Sequence, residues 1–65
     1  SNGVYVPMIT SDNIGYKDNK YVANITITYS TRAATLIGKE NDKGTIVYTK
    51  DINNNIILES FMVNK

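Results

Sequence analysis

The stretch Lys20-Tyr21-Val22-Ala23-Asn24-Ile25-Thr26-Ile27-Thr28-Tyr29-Ser30-Thr31 decides how this chain folds. Its odd positions read Tyr, Ala, Ile, Ile, Tyr, and its even positions read Val, Asn, Thr, Thr, Ser. A period of two held this long marks a strand with one buried and one wet face. β-Branched and aromatic residues dominate it, and it contains neither Gly nor Pro. Fully extended, the stretch spans about 40 Å at ~3.3 Å per residue. A compact domain of 65 residues has a radius of gyration of only about 11 Å. The strand is therefore expected to bend, coil or reach out to a partner.

Upstream, Asp18-Asn19 suits a two-residue turn with both residues at positive φ. Closing it sets Lys17 opposite Lys20, Tyr16 opposite Tyr21, Gly15 opposite Val22 and Ile14 opposite Ala23. Ile14 and Tyr16 then share a face with Tyr21 and Ala23, so the register is self-consistent. The turn formers Ser11-Asp12-Asn13 predict a bulge within a first strand running from Val4 to Lys17. Pro7 donates no backbone hydrogen bond, so this strand is expected to lie at an edge or to be bulged at that point.

Downstream, a loop and a third strand over residues 34–40 are expected, with Leu36 inward and Gly38 at a bulge. A helical turn over Thr31–Thr35 is the alternative, and isolated helical segments this short are marginal. Asn41-Asp42-Lys43-Gly44 reads as a turn with Gly44 left-handed, leading into a fourth strand, Thr45–Lys50. Ile46 and Tyr48 face inward on it; Thr45, Val47 and Thr49 face outward. Asp51-Ile52-Asn53-Asn54 repeats the turn with Asn54 left-handed. A fifth strand, Asn55–Val63, carries Ile56, Leu58 and Met62 on one face and Ile57, Phe61 and Val63 on the other. The expected fold is all-β: a small five-stranded antiparallel meander curling into a barrel or half-barrel, with a long bulged first hairpin.

Residues 1–65 make a single small β domain, with Ser1-Asn2 set aside as a candidate tag remnant. The core is thin at this size, and with no Cys and no His the usual disulfide and metal staples are missing. The same absence removes triads built on His or Cys and the commonest zinc ligands. The net charge of +1, from seven basic and six acidic residues, gives no strong attraction to nucleic acid or acidic membranes. No stretch is apolar enough for a transmembrane segment. Heavy use of Asn, Ile, Lys and Thr suggests an AT-rich, bacterial source. The expected setting is extracytoplasmic or at the cell surface, as a secreted protein, a lipoprotein or a fragment of one.

Several candidate sites are legible. Glu59, inside an apolar strand, is the one carboxyl placed to act as a general acid; a wet strand position or an edge gatekeeper explains it better, and the chain is expected not to be an enzyme. Asp51-Ile52-Asn53-Asn54-Asn55 offers oxygens at alternate positions. It lacks the Gly and the bidentate Glu that close a calcium loop, so no metal and no cofactor are expected. Asn24-Ile25-Thr26 fits a glycosylation sequon but lies mid-strand. Asn24, Thr26, Thr28 and Ser30 form a flat uncharged face that, with Tyr5 and Phe61, is the candidate contact surface. The expected function is a non-catalytic β domain acting through protein contacts, with another protein or with itself as a homodimer through an edge strand. The alternative is a small barrel binding single-stranded nucleic acid on Tyr5, Tyr16, Tyr21, Tyr29, Tyr48 and Phe61 beside Lys17, Lys20, Arg32, Lys39, Lys43 and Lys50.

Overall fold

A computed structural model describes residues 6–65. They form four strands and one helix: β1 (Met8–Lys17), β2 (Lys20–Thr28), α1 (Thr31–Ile37), β3 (Asn41–Lys50) and β4 (Ile56–Val63). The strands lie in the order β1-β2-β3-β4 in one antiparallel sheet. Val4 and Tyr5, assigned above to the first strand, lie outside the described residues.

The first hairpin has the register its sequence dictates. Lys17 pairs with Lys20, Tyr16 with Tyr21, Gly15 with Val22 and Ile14 with Ala23. Asp18 (φ 55°) and Asn19 (φ 65°) are both left-handed, the conformation that matches turn twist to strand twist. The register slips between Ser11 and Asn13, at the predicted bulge. Asn54 (φ 67°) closes the β3–β4 turn, where the Asp51 carboxylate accepts from the backbone N–H groups of Asn53 and Asn55, each at 2.9 Å.

Three expectations are corrected. The strand expected over residues 34–40 is largely helix α1. Ser30 caps it, its hydroxyl accepting from the Ala33 N–H at 3.1 Å, and Gly38 at φ 80° ends it, donating to the Ala34 carbonyl. Both are standard helix boundary residues, and together they outweigh the β propensity of Thr31, Thr35 and Ile37. The turn expected at Asn41–Gly44 is instead the first part of β3. Gly44 is extended there because it pairs with Ile25: a Cβ at Gly44 would lie 3.0 Å from the Met62 carbonyl oxygen and 3.3 Å from Ile25 Cγ1. Glycine is needed at Gly44 for space rather than for torsional freedom. Among the described residues the count is thus four strands, not five.

The sheet also does not close into a barrel. Among the described residues its strand order leaves β1 and β4 as the edges. The molecule measures 40 × 27 × 16 Å with a radius of gyration of 14.0 Å, against about 11 Å for a compact chain of this length. The long β2 stretch need not bend, because it lies along an elongated single layer. The strands pack on their sheet neighbours, and α1 sits at the end of the sheet, where Thr28, Tyr29, Ala34, Thr35 and Lys39 line a shallow cleft of roughly 400 Å³.

Candidate functional site

The two faces of the sheet differ in chemistry, and the register says which residue lies where. Ala23, Ile25 and Ile27 on β2 are buried, with Tyr29, Ile46 and Tyr48 packed against them. Directly opposite residues share a face. Pairing therefore adds Ile9, Ser11, Ile14 and Tyr16 from β1 and Leu58, Phe61 and Val63 from β4. Ile9, Ile14, Ala23, Ile25, Ile46, Tyr48, Ile56 and Leu58 line a trough of about 530 Å³ across this face.

A second bulge creates this uniformity. The β3–β4 register runs Val47↔Ser60 and then Tyr48↔Leu58, leaving Glu59 without an opposite residue. Strict alternation along β4 would put Leu58 and Phe61 on different faces. The extra residue brings both onto the same one, so the sequence expectation for β4 is corrected here: Ile56, Leu58, Phe61 and Val63 share the apolar face, and Met62 turns away. Glu59 itself reaches Lys20 at 2.7 Å, both side chains being substantially exposed. It is a surface ion pair rather than a carboxyl in an apolar pocket.

This face has no second layer over it among the described residues. Ile25 is sealed to 2% exposure by its neighbours in the sheet, but Ile14 remains 54% exposed, Ile56 65%, Leu58 61% and Phe61 50%. Helix α1 does not supply the cover: Leu36 is 72% exposed, and Ala33 is the residue the helix buries. At the β1–β2 turn end, three tyrosines form a ladder. Tyr16 lies 4.7 Å from Tyr21, tilted, and Tyr21 lies 5.1 Å from Tyr48, stacked. Lys50 Nζ sits 5.1 Å above the Tyr21 ring, within cation–π range.

The opposite face is polar at its centre and cross-linked. Asp12, the β1 bulge residue, accepts from the Thr26 hydroxyl at 2.7 Å and from Lys43 Nζ at 3.4 Å; Lys43 also donates to Thr26 Oγ1 at 2.6 Å. The Thr26 hydroxyl and the Lys43 ammonium together hold the Asp12 carboxyl below the usual carboxylate range. Asn24 donates to Asn13 at 2.7 Å. At the helix end, the Tyr29 hydroxyl donates to Asp42 at 2.8 Å, with Lys39 3.3 Å away on the other carboxylate oxygen. This pairing lowers the Asp42 pKa and raises that of Tyr29.

The residues named from sequence as a contact surface are therefore dispersed. Asn24, Thr26 and Thr28 lie on the polar face, with Asn24 and Thr26 engaged in the network just described. Ser30 caps the helix, Phe61 lies on the apolar face and Tyr5 is outside the described residues. Ile9, Ile14, Ile56 and Leu58 were not assembled from sequence as a surface, because their shared face depends on two bulges. Among the described residues, no three His, Cys, Asp or Glu side chains are grouped to hold a metal ion. No helix among them is long and apolar enough to cross a membrane.

No family model matches the chain, and no curated protein or solved structure is significantly similar to it.

Proposed function

We propose that this chain is a non-catalytic β module that acts by protein contact, and that the contact surface is the apolar face of its sheet. The observation that carries this reading is the exposure of Ile9, Ile14, Tyr16, Ile56, Leu58, Phe61 and Val63 on one side of one layer. Taking about 180 Å² for each such side chain fully exposed, roughly 700 Å² of it meets water, above the ~300–600 Å² of the largest patch on a typical monomer. A stable sheet ordinarily buries such a face against a second layer. The polar face with Asn24, Thr26, Thr28 and Thr45 resembles the hydroxyl-rich surfaces of exported β domains and supports an exported or surface-associated setting, where a small module of this kind would present its apolar face to another protein.

The test is titration with an environment-sensitive apolar dye, alongside circular dichroism. The folded chain at low concentration should bind the dye, and an Ile14→Lys/Leu58→Lys variant with an unchanged spectrum should lose most of that binding. A folded chain that neither binds the dye nor associates would refute the reading.

Single-stranded nucleic acid is the second reading, favoured by the Tyr16–Tyr21–Tyr48 ladder beside Lys50. Base stacking on such rings would show as oligonucleotide binding that weakens steeply with salt and falls on Tyr16→Ala. Absence of binding at low salt would dispose of it.

A further inference from the structure

Two features of the sheet restrict what can cover its apolar face. The first concerns the edges. Both edge strands carry a bulge, at Asp12 in β1 and at Glu59 in β4, and each bulge bears a carboxylate tied to a lysine. Bulges and charges on edge strands discourage pairing with a further strand. Growth of the sheet sideways is therefore disfavoured, and the face is the surface left for association.

The second is a match of size and charge. The roughly 700 Å² of exposed side chain is close to the ~800 Å² that each partner contributes to a standard stable interface. At 16 Å thick, the molecule is one layer of a sandwich whose sheets pack ~10 Å apart. The net charge of +1 places little repulsion between two copies. The charges on this face sit at opposite ends of β3: Asp42, across from Ile27 and held within its own chain by Tyr29 and Lys39, and Lys50, across from Ile56. A twofold axis lying in the interface and perpendicular to the strands brings the Lys50 end of each copy to the Asp42 end of the other. The two Lys50 ammoniums are then kept apart and the apolar patch meets itself, as a twofold interface requires.

Resting on the contact reading above, we infer that the occupant of the face is a second copy of this chain, packed face to face as a two-layer β-sandwich centred over Ile25 and Ile46 of the two inner strands.

The experiment is light scattering combined with small-angle X-ray scattering on the 65-residue chain, from micromolar to millimolar concentration. The expected result is a mass rising from 7.2 kDa to about twice that value. The radius of gyration should rise only from 14.0 Å to about 15 Å, because the layers are displaced by just ~10 Å. Leu58→Lys adds a charge to the apolar face of each copy, two per interface, and should weaken association at least ~30-fold. Ile56→Glu at the rim gives the same direction should the first variant not fold. A doubled mass with a radius of about 17 Å, the value for side-by-side sheets of four strands ~4.8 Å apart, and with no effect of Leu58→Lys, overturns the proposal in favour of edge pairing. A monomer at every concentration also overturns it: with dye binding retained, the contact face stands and belongs to a different partner; with dye binding absent, both readings fail.

Discussion

Replacing Gly44 with Ala adds one methyl group at the place where the sheet has least room for it. Gly44 pairs with Ile25 on one side and Val63 on the other. The new Cβ meets the Met62 carbonyl oxygen at 3.0 Å and Ile25 Cγ1 and Cδ1 at 3.3 and 3.4 Å. Ile25 cannot swing away easily, because it is 2% exposed. The carbonyl belongs to the backbone of β4 and moves only with its strand. Overpacking of this kind costs about 1–3 kcal/mol. The lower chain entropy of Ala in the unfolded state offsets about 0.4–1 kcal/mol. The net loss is about 1–2 kcal/mol, and in a domain this size ~1 kcal/mol moves Tm by roughly 4–8 °C. Gly15→Ala is the matched control, since nothing lies within 4 Å of its Cβ position and its φ is not positive; it should be neutral or stabilising by up to ~1 kcal/mol. Thermal and urea unfolding followed by circular dichroism, at one fixed protein concentration, measures both. In the double variant Ile25→Val/Gly44→Ala, loss of Ile25 Cδ1 should return part of the difference as a favourable coupling. If Gly44→Ala proves as stable as Gly15→Ala, the close approach of β2, β3 and β4 described here is wrong.

Stability should depend on pH as a broad plateau with two shoulders. The Asp12, Asp42 and Asp51 carboxyls are held below their ordinary value of 3.8, so their contribution is present above that pH and is lost as pH falls through their lowered values. Tyr29 is raised above 10.0, so its contribution is present below that pH and is lost as pH rises through its raised value. With no His in the chain, urea midpoints should be flat across neutral pH, and Asp42→Asn should diminish both shoulders, because Tyr29 and Asp42 are partners. Ala in place of the left-handed Asn54 should cost about 1 kcal/mol, whereas Asn19→Gly should raise Tm slightly by suiting the turn better; thermal melts check both. Ser30→Ala removes the helix cap and should cost about 1 kcal/mol, with faster amide exchange in Ala33–Leu36 as its local signature.

The legible part of the fold is the part encoded by short-range rules. Asp18-Asn19 fixed the hairpin register, and Ser11-Asp12-Asn13 located the first bulge, because turn chemistry and the period of two act on neighbouring residues. The helix was misread although both of its boundary residues, Ser30 and Gly38, were visible. Seven residues with three β-formers among them give little periodicity to weigh against a strand. Gly44 was misread for a deeper reason. In sequence it resembles a turn glycine after Asn-Asp-Lys; its actual constraint, the side chain of Ile25, is nineteen positions away. The apolar face was hidden in the same manner. Counting along β4 distributes its apolar residues over both sides, and only the register slip at Glu59 gathers Ile56, Leu58, Phe61 and Val63 onto one.

That the apolar face, rather than the threonine- and asparagine-rich one, is where this protein meets its partner is best tested by side-chain methyl relaxation with a soluble paramagnetic agent. At low concentration the methyls of Ile14, Ile56 and Leu58 should relax strongly, as their exposure dictates. As the concentration rises they should become protected, while Thr26 and Thr28 on the opposite face keep their relaxation unchanged. Protection that appears on the threonines instead would contradict the account; isoleucine and leucine methyls equally relaxed at every concentration up to the millimolar range would contradict the second copy as the occupant of the face.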